Sequence, residues 1–223
     1  MKGIEKKCLS GSVLKWIAIL TMLVDHVGAC LLVSNFTLRQ IGRIAFPLFC
    51  FLIAEGAVHT RDMKKYLLRL GVFAVFSELP FDLAFYHQAF YCEKQNVYWT
   101  LFLGLAVIWL FKQYPIESWK GYLGLLFAAG FAEIFCTDYG AAGVLVIVLM
   151  YVLRHSPWFR FFFCYGILVL SGRAELWSLP AFFLMALYNG ERGRQQRYFF
   201  YGFYPLHLLM LFAVGQLLLP VGL

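Results

Sequence analysis

Lys15 and His26 form the sharpest pair of candidate functional residues in this chain. They stand eleven positions apart, and at about 100° per residue the rotation between them is three full turns plus roughly 20°, so one helix presents both from one face. At a rise of about 1.5 Å per residue they lie roughly 16 Å apart along the axis. An ammonium at the mouth of a groove suits the phosphates of a donor molecule, and an imidazole deeper in the same groove suits work as a general base. Lys15 has a plainer role open to it, that of a snorkelling anchor at a membrane surface. Asp25 sits one step round the helix from His26 and cannot orient it from there, so its partner belongs on another segment, with Arg43 a candidate.

Ser77-Glu78-Leu79-Pro80-Phe81-Asp82 is the second unusual stretch. Pro80 removes a backbone N–H and frees the carbonyl of Phe76, while Glu78 and Asp82, at i and i+4, share a face. Such a site can bind a cation, hold a metal or position an acceptor amine; the structural alternative is a kinked helix whose acids meet Arg43 or Arg69. Asn96, with Thr100 one turn on, and Asp138, before Tyr139-Gly140, read first as helix N-caps. Tyr204-Pro205-Leu206-His207 sets a kink and a second imidazole together, either a satisfied buried histidine or a wall of the cavity that holds His26. Glu55 and Glu133 complete the acids that fall within apolar runs.

The elements that must position these residues are membrane helices. Of 223 residues 62% are hydrophobic and only 14% charged, with a mean hydropathy of +0.73, against about a quarter charged in a soluble globule. The apolar residues run from Leu14 to Leu219 without a polar block long enough to fold separately. At roughly 20 residues per crossing, about nine spans use nearly the whole chain. They fall near Leu14 to Val33, Ile41 to Val58, Tyr66 to Tyr86, Val97 to Phe111, Gly121 to Cys136, Tyr139 to Leu153, Phe159 to Leu170, Leu176 to Tyr188 and Tyr198 to Leu219. The seventh and eighth are short, which suits tilted, bilayer-thinning or re-entrant segments. The expected fold is therefore an all-α polytopic bundle, a single domain over 1–223, with any chemistry done in or at the bilayer. The first run resembles a secretory signal, but it carries Asp25 and His26 and is no more apolar than the rest, so it reads as a retained span.

Lys and Arg set the orientation. Alternating loops of a nine-span chain collect 14 on one side (Lys2, Lys6, Lys7, Arg61, Lys64, Lys65, Arg69, Lys112, Lys120, Arg154, Arg160, Arg192, Arg194, Arg197) and 3 on the other (Arg39, Lys94, Arg173). That asymmetry predicts the N-terminus in the cytoplasm and the C-terminus outside, in a multi-pass cell (inner) membrane protein. It also accounts for the net charge of +7 without a nucleic-acid partner. The six cysteines are scattered singly, without metal-like spacing, and no metal is expected.

Leu14-Lys15-Trp16-Ile17-Ala18 leading to Asp25-His26-Val27-Gly28, Gly42 to Phe49 with Glu55-Gly56, Lys65-Tyr66 to Arg69-Leu70, Ser77 to Asp82, Asn96 to Gly104, Asp138-Tyr139-Gly140 and Tyr201 to His207 together resemble the TraX family. These are integral membrane proteins named for the N-terminal acetylation of conjugative pilin, and the matches cover nearly the whole chain in order. TraX proteins in turn resemble the family 3 membrane acyltransferases, which carry a basic residue, ten intervening positions and a histidine on the first helix. The resemblance implies acyl transfer from cytoplasmic acetyl-CoA to an amine or hydroxyl of an acceptor polypeptide, glycan or lipid reached from the membrane or its outer side. His26, with Asp25 beside it, would be the catalytic element; Lys15, Arg61, Lys64 and Lys65 would hold the phosphates; Arg43, Glu55, Glu78, Asp82, Asn96, Asp138 and His207 would line the cavity. Two other classes stay open on the residues alone: an ion- or proton-coupled transporter built on Glu78, Asp82 and the Pro80 kink, and a non-catalytic assembly factor for pilin-like subunits. No internal repeat of the kind common in transporters is visible.

Overall fold

A computed structural model describes residues 7–114, 118–194 and 196–218. Among these described residues ten α-helices and one 3-10 turn follow in order: α1 (Gly11–Cys30), α2 (Phe36–Gly42), α3 (Ala45–His59), α4 (Met63–Tyr86), α5 (Val97–Gln113), α6 (Trp119–Ile134), α7 (Gly140–Val152), α8 (Pro157–Ser171), the 3-10 turn (Arg173–Ser178), α9 (Leu179–Ala186) and α10 (Arg197–Leu218). Among the described residues the only β pairings are isolated bridges, Leu9 with Tyr188 and Gln95 with Thr137. Helix starts follow local chemistry. Ser10 accepts from the N–H of Val13, Asp62 from that of Lys65 at 3.0 Å and Asn96 from that of Tyr98 at 2.9 Å, while Pro157 opens α8 where a missing N–H does no harm.

Side-chain size sorts the helix faces. Small residues face inward, Ala18, Ala54, Ala57 and Ala74 being fully or almost fully buried, and they let helices approach closely. Large apolar side chains point away from the protein, Leu170 at 88% exposure and Leu217 at 82%. A soluble surface does not carry so many, and a bilayer accepts them. Gly11–Cys30, Phe36–His59 taken through its turn, and Phe199–Leu218 are long and apolar enough to cross a membrane; Val97–Gln113, Gly140–Val152 and Pro157–Ser171 are apolar but shorter. This is an all-helical membrane protein.

Backbone pairings define two ends. At one, Leu9 donates to the Leu187 carbonyl at 3.0 Å, Gly11 donates to that of Glu191 at 2.8 Å, and the Lys112 ammonium donates to that of Ala57 at 2.7 Å. At the other, Gln95 donates to Cys136 and accepts from Asp138. Helices α3 and α7 lie innermost, whereas α6 and α8 bury only two residues each and flank the bundle.

The second apolar run is one candidate span, Phe36–His59, with a turn at Arg43-Ile44 between α2 and α3. The eighth is short as expected, a 3-10 turn followed by a helix of 8 residues. One expectation is corrected. Asp138 does not cap α7: its carbonyl accepts the Thr100 hydroxyl, Tyr139 takes the left-handed conformation at φ 66°, and the α7 N-terminus is met by Glu133, whose Oε1 accepts from Ala141 N–H at 2.7 Å.

Candidate functional site

The first half of α1, the end of α3, the start of α4 and the loop before α10 enclose a cavity of about 670 Å³ at the end where Leu9 meets Tyr188. Its lining holds five cationic side chains, Lys15, Arg61, Lys65, Arg69 and Arg192, against the carboxylates of Glu55 and Asp62. Lys15 stands over the Phe200 ring, 5.0 Å from its centroid. Glu55 pairs with His59 at 3.5 Å and Lys65 with Asp62 at 3.3 Å. The backbone N–H of Lys65 holds the Asp62 carboxyl below the usual aspartate range. The Nε of Arg69 is buried and has no hydrogen-bond partner among the described residues. Lys64 does not face this cavity; it borders a smaller one of about 340 Å³ with Arg61, Trp109 and Lys112. The larger cavity is lined by these cationic side chains together with Ile19, Leu70, Leu101 and Tyr98.

His26 lies further along α1, on the same face as Lys15. It does not line the cavity; the Tyr204 ring, packed edge-on to both His26 at 6.0 Å and Tyr98 at 5.0 Å, stands between. Nδ1 of His26 is 2.6 Å from Nε2 of His207, and His207 Nδ1 is 2.8 Å from the Phe203 carbonyl. The two ring planes lie within 4° of each other with centroids 4.9 Å apart. A contact of 2.6 Å is far shorter than the roughly 3.5 Å at which ring faces meet, so the imidazoles are hydrogen-bonded edge to edge in one plane. Phe85 meets His26 edge-on at 5.3 Å, and Phe203 lies flat along His207 at 5.0 Å. The pair is therefore fixed in orientation by aromatic rings from α4 and α10.

Asp25 points elsewhere. Its Oδ2 accepts from Arg39 at 2.5 Å and its Oδ1 from Arg43 at 2.8 Å, while Arg43 also donates to Glu175 at 3.1 Å and to the Tyr139 hydroxyl at 3.3 Å. Two arginines and two carboxylates from α1, α2, the α2–α3 turn and the 3-10 turn thus neutralise one another, Asp25 and Glu175 being buried and Arg39 partly exposed. Gly42 makes this possible, since any side chain there would strike the Asp25 carboxylate.

The remaining predicted residues disperse. Glu78 accepts from the Asn96 side chain, from Asn96 N–H at 3.2 Å and from the Trp99 indole at 2.9 Å, so it fastens the start of α5 to α4, where a carboxylate also suits the helix dipole. Asp82 accepts from Tyr91 N–H at 3.0 Å and ties down the following loop. Neither acid meets Arg43 or Arg69. Asn96 caps α5 as expected, and Asp138 contributes its backbone to Thr100 and Gln95.

The family pattern described as "TraX protein" matches residues 10–215. The chain belongs to the TraX family. The TraX match takes in the cavity, the histidine pair and the ionic network together. "Probable fimbrial assembly protein FimC, serogroup H1" of Dichelobacter nodosus is 30% identical over 236 residues, covering 92% of this chain and 95% of that protein. "Uncharacterized protein RP591" of Rickettsia prowazekii (strain Madrid E) is 25% identical over 147 residues, 64% of this chain and 55% of that protein. No solved structure is significantly similar. Within the TraX match, sequence reasoning missed Arg69, Arg192 and His59 in the cavity and Arg39, Tyr139 and Glu175 in the network. Glu175 alone left a signal, an acid beside an apolar run at Ala174-Glu175-Leu176.

Proposed function

We propose that this protein is an integral membrane acyltransferase that moves an acetyl group from cytoplasmic acetyl-CoA to an amine or hydroxyl of an acceptor presented at the opposite side, a pilin-like N-terminus being one such group. The topology is the nine-span arrangement in the cell membrane, with the basic end and N-terminus in the cytoplasm and the C-terminus outside. One observation carries the reading: Lys15 opens into a cationic cavity sized for a nucleotide-like head, and His26, on the same helix face, is paired and oriented about three turns deeper. Lys15, Arg61, Lys65 and Arg69 hold the donor phosphates. The thioester arm extends past Tyr98 and Tyr204 toward His26. There the acceptor gives its proton to His26, its nitrogen or oxygen bonds to the thioester carbonyl carbon, the C–S bond breaks, and the departing sulfur recovers the proton. Membranes or purified protein supplied with radiolabelled acetyl-CoA and candidate acceptors test this. Label transfer is expected, and transfer that survives His26→Ala undiminished would sink the catalytic role.

A second reading draws on a different observation, the similarity to a protein whose printed name is that of a fimbrial assembly factor. In that reading the protein holds a pilin-like subunit without acylating it. It requires a stable complex with such a subunit that tolerates His26→Ala.

A further inference from the structure

The hydrogen bonds around His207 determine which nitrogen of His26 is free to act. A carbonyl has no proton to give, so His207 Nδ1, 2.8 Å from the Phe203 carbonyl, carries the hydrogen and donates it. In a neutral imidazole the other nitrogen is then a bare acceptor. The hydrogen in the 2.6 Å contact therefore belongs to His26 Nδ1, and His26 Nε2 is left with its lone pair. We propose that His207 is the positioning residue of this site, relaying the Phe203 carbonyl to fix His26 as its Nδ1–H tautomer so that Nε2 is the nitrogen that takes the acceptor's proton.

The fold supports this relay. His207 is 3% exposed, held between Phe203 and Tyr204. Pro205 has no N–H, which frees the Tyr201 carbonyl one turn back, and the Tyr98 hydroxyl donates to that carbonyl at 3.4 Å. That bond fastens the turn of α10 that holds Pro205 to α5 immediately before His207. In the transfer step the acceptor N–H or O–H gives its proton to His26 Nε2, and the resulting imidazolium keeps donating through Nδ1 to His207 Nε2, which stabilises the charge. The acceptor atom bonds to the thioester carbonyl carbon, the C–S bond breaks, and the proton passes from Nε2 to the departing sulfur. Asp25, bound by Arg39 and Arg43, takes no part in the relay.

The inference rests on the acyltransferase reading for its consequence but not for its geometry, and the two are tested separately. Full-length protein labelled with ¹⁵N-histidine, reconstituted in lipid vesicles, is compared by solid-state NMR with His26→Gln, which assigns the His26 signals among the 5 histidines. A protonated Nδ1 and a bare Nε2 on His26 are expected, with a mixture of tautomers in His207→Phe. An Nε2–H tautomer in the parent, or no change in His207→Phe, overturns the relay whether or not the protein transfers acetyl groups. Where [¹⁴C]acetyl-CoA labels acceptors in the same membranes, His207→Phe should lower kcat about 100-fold with the KM for acetyl-CoA unchanged. His207→Gln, which keeps an acceptor atom near the position of Nε2, should stay within about tenfold of the parent. Equal loss in the two variants, or none in His207→Phe, contradicts the assignment.

Discussion

At one end of the bundle Lys15, Arg61, Lys65, Arg69 and Arg192 border an accessible cavity of about 670 Å³, with Glu55 and Asp62 among the described residues of its lining. At the other, Arg39 and Arg43 are bonded to Asp25 and Glu175, two arginines to two carboxylates. The same residue types therefore carry opposite meanings. A network whose arginines and carboxylates are bonded to one another holds helices together and offers little to a ligand, whereas cations that border an accessible cavity stay within reach of one. Charge in a membrane protein reads as a site through its access, and its presence alone does not decide.

Substitutions at the two ends should separate these meanings. The largest effect on stability belongs to the network. Asp25→Ala takes the shared carboxylate from two arginines, of which Arg43 keeps Glu175 and Arg39 is partly exposed, and should cost about 1–3 kcal/mol, read as a fall in the unfolding midpoint in detergent, while the specific activity of the molecules that remain folded stays close to the parent's. Asp25→Ala with an unchanged midpoint and no transfer would move Asp25 into the chemistry and erase the contrast. At the cavity the signs reverse. Lys15→Ala or Arg69→Ala should raise the KM for acetyl-CoA roughly tenfold, the scale of one hydrogen bond to a charged group, with little change in kcat. A shift confined to kcat would place these cations away from the donor.

Smaller effects sharpen the comparison further. Raising salt should weaken donor binding at the open cavity and leave the buried network's contribution to the unfolding midpoint nearly untouched. A midpoint that falls as steeply as donor affinity would contradict that separation. The smallest effect is at Asp62, whose carboxyl is held below the usual aspartate range by the Lys65 N–H at the start of α4. A depressed folded value contributes stability above the ordinary aspartate range and loses it as pH falls through the folded value. The unfolding midpoint of Asp62→Ala should thus lie slightly below the parent's at pH 7, and the two should converge in acid.

What was legible in the sequence follows from how far each feature reaches along the chain. The shared face of Lys15 and His26, the Asn96 cap and the apolar runs depend on residues within a few turns, and helical period determines them. Pairing Asp25 with Arg43 was also within reach, because a buried acid unable to serve its neighbour needs a cation from another span. The rest depends on packing between distant segments. His207 lies 181 residues from His26, Glu175 lies 132 residues from Arg43, and no local pattern announces that a 3-10 turn will deliver a carboxylate to the α2–α3 break. Glu78 and Asp82 looked alike on one face of α4, yet Glu78 anchors a helix start and Asp82 a loop, a division that the bonding partners decide.

The central claim is that the donor enters the cationic cavity beside Lys15 and reaches toward His26. The most direct measurement is photolysis of a diazirine-bearing acyl-CoA thioester with the full-length protein in lipid vesicles, followed by peptide mapping. Label on the cavity residues Tyr66 and Tyr98 and on Tyr204 beside them, competed by unlabelled CoA and reduced by Lys15→Glu, is the result expected. Label confined to the Asp25–Arg43 end, or indifferent to CoA competition, would contradict the claim.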